Sequence, residues 1–140
     1  VEKVSFYGKG PFENYCDRNT GALIKKYSGK VDDFMHDYLH PQENGNHTEV
    51  RWLQLGNEVN GMKFTAISKP FEMSVHPYSL EMLDSANHLH ELENLDYLTV
   101  NIDGKQRGVG GDVPAIAYTK PPYKILRNQL HSLNFRVKIQ

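Results

Sequence analysis

With one cysteine, Cys16, the chain can form no internal disulfide, so packing and hydrogen bonds must hold it together and nothing in it requires an oxidising compartment. It also lacks an excess of charge. Sixteen Lys and Arg stand against seventeen Asp and Glu, a formal net charge of −1, which excludes the global basic field that draws nucleic acid or anionic lipid. No stretch approaches the ~20 apolar residues of a membrane span, and the opening VEKVSFYGKG lacks the charged-then-apolar order of a signal peptide. No nucleic-acid or membrane partner is expected. There is one tryptophan, Trp52, and no internal repeat, low-complexity tract or linker. A chain of 140 residues closes a single core, so one domain spanning 1–140 is expected. It starts on Val1 and enters a strand-like pattern at once, as a fragment of a longer protein would.

What is present is alternation. In YLTVNID, Leu98, Val100 and Ile102 face one way and Thr99, Asn101 and Asp103 the other. LNFRVKIQ repeats the pattern, with Leu133, Phe135, Val137 and Ile139 inward. VEKVSFY, ALIKKYS, EVRWLQL, MKFTAIS and FEMSV are further strands, separated by turns rich in Gly, Pro, Asn and Asp. Seven or eight short strands spaced by turns predict an all-β fold, an antiparallel β-sandwich. One segment departs from it: in YSLEMLDSANHLHEL, Ser79 caps one or two helical turns with Met82 and Leu83 on the inner face. Pro114, Pro121 and Pro122 in DVPAIAYTKPPYK cannot donate to a ladder and predict a loop or irregular edge.

Most catalytic chemistries find little support. His36 and His40 have the i, i+4 spacing of a helical metal pair, but Pro41 ends the segment and no Glu follows His36, so no metal site is predicted. His88 and His90 read as surface or sheet-edge residues. Glu43, Glu49, Glu58, Glu72, Asp103 and Asp112 sit in or near turns, and nothing in the sequence pairs two of them across a scissile glycosidic bond. No Gly-x-Ser-x-Gly turn activates a serine, and Cys16 has no activating context. The glycines of GKG and GVGGD are followed by strand-like residues rather than a helix, which fits positive φ or a bulge better than a phosphate loop. Val50 and Trp52 alternate with Arg51, so both are expected inside the sandwich, with Arg51 free to pair with Glu49 or Glu43.

The order of the pieces says more than any one of them. FYGKGPFENYCDR, PQENGNHTEVRWLQL, PFEMSVHPYSLEMLDSANHLHEL and LTVNIDGKQRGVGGD, in that order over roughly residues 4–112, closely resemble the last part of the multidomain β-galactosidases of glycoside hydrolase family two. In that family the acid and nucleophile glutamates and the magnesium ligands belong to a (β/α)₈ barrel. The resemblance therefore implies a non-catalytic piece with no cofactor of its own, the Mg and Na ions lying in the parent barrel. It implies the second half of the C-terminal domain, a supersandwich related to galactose mutarotases. The partners implied are the barrel and remaining domains of the parent enzyme and a β-galactoside substrate through the intact enzyme; a chain separated from them would expose the apolar face they cover, so a homo-oligomer of the isolated chain is expected as well.

In the family a loop of this domain reaches the barrel mouth, where a tryptophan forms part of the sugar wall. Aligned on ENG and VRWLQLG, that position falls at Val59 or Asn60, where this chain has no tryptophan. A second departure follows GVGGD, where many relatives continue Asp-Ser-Trp and Val113 and Pro114 stand here. The rim residues implied are Glu43 and Asn44 in the loop 42–47, and Glu58, Val59 and Asn60 in the loop 56–61. Two other functions compete. A free-standing carbohydrate-binding module would need Tyr7, Phe12, Tyr15 or Tyr38 to form a stacking platform. A mutarotase-like enzyme would need a carboxylate base and a His acid, drawn for example from Glu81, Glu91 and His76.

Overall fold

The computed structural model describes residues 3–113 and 118–140. Among the described residues, eight strands form two antiparallel sheets. β1 (Lys3–Gly10), β2 (Leu23–Lys30), β4 (Trp52–Gly56), β5 (Gly61–Ala66) and β8 (Phe135–Ile139) make a five-stranded sheet in the order β2-β1-β4-β5-β8. β3 (His47–Val50), β6 (Phe71–His76) and β7 (Thr99–Asp103) make a three-stranded sheet in the order β3-β6-β7. The core lies between them: Val4, Phe6, Leu53 and Leu55 from the larger sheet meet Val50, Phe71, Met73 and Val75 from the smaller, and Val31 and Phe34 close one end. Leu98, Val100, Ile102 and Phe135 pack against this cluster, as their alternation predicted.

EVRWLQL is not one strand. It is divided at Arg51 between the two sheets, β3 belonging to the smaller and β4 to the larger. Glu49 has φ 55°, and the register of β3 against β6 shifts between His47 and Val50, the signature of a bulge. Beyond this break the chain places Leu53 and Leu55 inward, beside Val50. Trp52 is consequently not a core residue: it is half-buried on the outer face, between Tyr7 and Thr65, with Lys63 Nζ 4.7 Å from its ring centroid. Arg51 pairs with Glu49 rather than Glu43.

Two smaller expectations also change. Gly8 and Gly10 are not positive-φ positions; Gly8 is small because a Cβ there would lie 2.9 Å from Val50 Cα, where the two sheets touch. In GVGGD, Gly110 and Gly111 do have positive φ, 71° and 83°. The helical segment is one short helix, α1 (Leu80–Ser85), whose Met82 N–H donates to the Ser79 hydroxyl and whose Leu83 is buried. Of the proline-rich stretch, residues 114–117 lie outside the described residues; Pro121–Tyr123 forms a 3-10 turn.

The two sheets differ in charge and in width. The strands of the larger sheet contain Lys and Arg and no Asp or Glu, whereas those of the smaller contain Glu49, Glu72 and Asp103 and no Lys or Arg. Three strands also cannot cover five. The inward-facing Val137 and Ile139 of β8 remain 46% and 78% exposed, and an open cleft of about 930 Å³ separates β4, β5 and β8 from the segment around β7.

Candidate functional site

Polar residues gather where two loops meet, the one following β1 and the one preceding β3. The Glu13 carboxylate accepts from the Gly45 N–H at 2.9 Å, from the Tyr15 hydroxyl at 3.2 Å and from the Tyr38 hydroxyl. Gly45 has φ 70°, and a Cβ there would stand 2.8 Å from the Phe34 carbonyl oxygen, so the turn needs glycine on both counts. Asn14 is fully buried. Its amide donates to the carbonyls of Lys9 and Phe12, and its Oδ1 accepts from the Thr48 N–H at 3.0 Å and the Thr48 hydroxyl at 2.6 Å. Asn46 donates to the Asn14 carbonyl and to Glu72 Oε2, both at 2.9 Å.

Burial sets the electrostatics of this network. Glu72 is pushed above the usual carboxylate range by loss of water, against which the Asn46 amide works. His47 is buried against Phe6 and Phe34, and desolvation lowers its pKa to about 4. His76 moves the same way for the same reason. Both rings are therefore neutral at neutral pH. His47 Nδ1 and His76 Nε2 carry their protons, because they lie 3.1 Å and 2.8 Å from the carbonyls of Lys9 and Asn44. Tyr38 is pushed up to about 12 by burial and by its bond to Glu13. Such an arrangement holds loops in place: its two carboxylates, half-buried Glu13 and buried Glu72, accept structural bonds, and each enclosed imidazole holds a backbone carbonyl through one of its nitrogens.

The residues expected at a sugar rim divide into two groups. Asn44 turns inward, accepting from the His36 N–H and donating to the Gln42 carbonyl, each at 3.0 Å. Glu43 is exposed and accepts from Gln106 at 3.1 Å. With His40, Pro41, Gln42 and the α1 residues Leu80, Glu81 and Asp84, it lines a groove of about 490 Å³. Glu58, Val59 and Asn60 form the turn between β4 and β5, where Asn57 Oδ1 accepts the N–H groups of Val59 and Asn60 at 2.8 Å. Asn60 lines the open cleft between the sheets. The two loops thus border different cavities.

Other candidates also lie apart. His36 and His40 are not on a helix, His88 stacks on His90 and meets Glu91 at the surface, and Glu81 is exposed while His76 is enclosed. Among the described residues no group of three His, Cys, Asp or Glu is placed to hold a metal ion. Tyr15 is buried and Tyr38 is committed to Glu13, so they do not join exposed Phe12 in a platform. The sequence reading named none of Glu13, Asn14 or Asn46 as site residues; the crowding of Asn and Glu in FENY and ENGN was the available signal.

A family model described as beta galactosidase small chain matches residues 1–139, which include both loops and all eight strands. The chain belongs to that family. It is similar to a β-galactosidase of Priestia megaterium, 38% identical over 138 residues, covering 98% of this chain and 13% of that protein. It is also similar to β-galactosidase BgaC of Bifidobacterium adolescentis, 37% identical over 139 residues, covering 97% of this chain and 13% of that protein. A β-galactosidase of Halalkalibacterium halodurans is 42% identical over 112 residues, covering 79% of this chain and 11% of that protein. This small-chain domain therefore spans about an eighth of the length of the curated relatives it matches. Within it a second clamp resembles the first: Asp17 accepts the N–H groups of Val109 and Gly110 at 3.0 Å and 2.8 Å and fixes the glycine-rich loop.

Proposed function

We propose that this chain is the C-terminal, non-catalytic part of a β-galactosidase that hydrolyses terminal β-D-galactosides such as lactose. Its role is assembly of the parent enzyme, with a contribution to the rim of the sugar site. The observation that carries the assembly role is the open cleft between the sheets. Apolar residues Leu55, Met62, Phe64, Leu98, Val100 and Ile139 line it, and large contiguous apolar surfaces are rarely left in water. About two further strands laid beyond β7 would cover β8, since neighbouring strands stand about 4.8 Å apart. The remaining part of the parent enzyme supplies them, completing a supersandwich against which the catalytic barrel rests. The acid, the nucleophile and the Mg and Na ions belong to that barrel.

At the rim, Glu43 and the turn Glu58, Val59 and Asn60 are the groups free to meet a sugar, and Asn44 supports Glu43 by fixing its loop. A free-standing carbohydrate-binding module fits less well. Lys63 covers a face of Trp52, and Arg51 lies 5.4 Å from the Tyr7 ring centroid, so these aromatic faces are already taken.

The test has two arms. The 140-residue chain is titrated with galactose and lactose by NMR and assayed with a chromogenic β-galactoside; neither binding nor turnover is expected, and turnover that follows the purified chain would sink the proposal. It is then grafted in place of the matched segment of the Priestia megaterium enzyme. The chimera is expected to be active, and Ile139→Glu to abolish that activity by spoiling the cleft. Scrambling 42–47 or 56–61 in the chimera is expected to raise KM; unchanged KM and kcat would refute the rim contribution alone.

A further inference from the structure

The outer face of the five-stranded sheet is cationic by register. One cross-strand row reads Lys26, Tyr7, Trp52, Thr65, Arg136 and the next reads Ser28, Ser5, Gln54, Lys63, Lys138; Lys3 and Lys30 pair at one end. Among the described residues, Lys9 is the only strand cation of this sheet in an ion pair with a carboxylate, that of Glu49. The lysines flanking the face, Lys26, Lys30 and Lys138, are exposed.

The counterpart lies elsewhere on the same chain. From Phe71 to Gly104 there is no Lys or Arg, and Glu81, Asp84, Glu91, Glu93 and Asp96 are all exposed. Glu81 and Asp84 join Glu43 around the groove of about 490 Å³ beside α1. A chain close to neutral overall is thus divided into a basic sheet face and an acidic groove.

We propose that the cationic face of the five-stranded sheet docks into the acidic groove of a second copy of this chain. The contact joins two different patches, so it is head-to-tail and can propagate unless the rotation closes a ring. Five strands about 4.8 Å apart and about 20 Å long offer roughly 500 Å² a side, below the ~800 Å² of a stable standard interface. The association is therefore weak, steered by charge and sensitive to salt. It is independent of the open apolar cleft, and although its groove shares Glu43 with the proposed sugar rim, it rests on charge alone and is read as association rather than as activity.

Sedimentation velocity on the 140-residue chain tests it, at about 20 mM and about 500 mM salt, where screening lengths differ several-fold. Concentration-dependent association is expected at low salt and at least tenfold weaker association at high salt. The double variant Lys26→Glu with Lys138→Glu, and separately Glu81→Lys with Asp84→Lys, should each be monomeric at low salt, their folds checked by circular dichroism. Mixing the two variants should restore association, because each then presents the complement of the other. A chain that stays monomeric at low salt overturns the proposal. So does association that ignores salt and both charge reversals and disappears instead with Ile139→Thr, which would place the contact in the cleft.

Discussion

Asn14 and Thr48 are joined twice: a single buried amide oxygen accepts both the N–H and the hydroxyl of a residue thirty-four positions away. The same amide donates to the Lys9 and Phe12 carbonyls, so all of its hydrogen-bonding capacity is used. Asn14→Ala strands these partners without solvent and should cost about 3 kcal/mol, read as a fall in the urea midpoint. Gln42→Ala, at an exposed position in the neighbouring loop, should change stability by less than about 0.5 kcal/mol. Equal effects of the two would show that the buried network does not hold the loops.

Leu53 and Trp52 should rank against their sizes. Leu53 is fully buried in the core, and Leu53→Ala should cost about 2–5 kcal/mol through lost transfer energy and a residual cavity. Trp52 is half-buried on the outer face under Lys63, and Trp52→Ala should cost about 1–2 kcal/mol. Its fluorescence should also be quenched by iodide in the folded state. A costlier Trp52→Ala, or unquenched emission, would return this residue to the core.

That contrast shows what the sequence could carry. YLTVNID was legible because one of its faces meets the apolar core cluster and the other carries Thr99, Asn101 and Asp103, so periodicity alone fixes which side Leu98, Val100 and Ile102 occupy. EVRWLQL was misread because period-2 reasoning assumes an unbroken strand. The positive φ of Glu49 and the break at Arg51 move the chain from one sheet to the other and restart the alternation. The family resemblance suggested the loop 42–47. The contacts that fix it were not legible, because Glu13 meets Gly45, and Asn46 meets Glu72, across twenty-six to thirty-two residues, with no periodic signal.

Asp17 should govern the order of the glycine-rich loop. Its two oxygens each take one N–H, from Val109 and Gly110, and the Thr119 hydroxyl donates to the Gly108 carbonyl beside them. Asp17→Ala removes both acceptors at once, a loss of about 1–3 kcal/mol of local stability. Amide exchange at Val109 and Gly110 should accelerate roughly five- to 150-fold, while the amides of β6 remain protected. Uniform acceleration across the chain would mean that Asp17 supports the whole fold rather than this loop.

His47 makes the fold sensitive to acid. Its folded pKa is about 4 because the ring is desolvated, whereas the unfolded chain takes up the same proton near 6.5. Below about pH 6.5 the unfolded state therefore binds more protons than the native state, and stability falls until about pH 4. At about 1.4 kcal/mol per unit the loss reaches about 3 kcal/mol. His76, lowered by the same cause, adds to it. Glu72 opposes it: its raised folded pKa means that the native state holds this proton more tightly, so its contribution grows as pH falls toward the ordinary carboxylate range. The urea midpoint should thus decline between pH 7 and 4, more steeply in Glu72→Gln. His47→Phe keeps a ring against Phe6 and Phe34 but loses the bond to the Lys9 carbonyl, so it should be less stable at pH 7 and show a flatter decline. The slope carries the test, since a His47→Phe profile parallel to the wild type would place the titrating proton elsewhere.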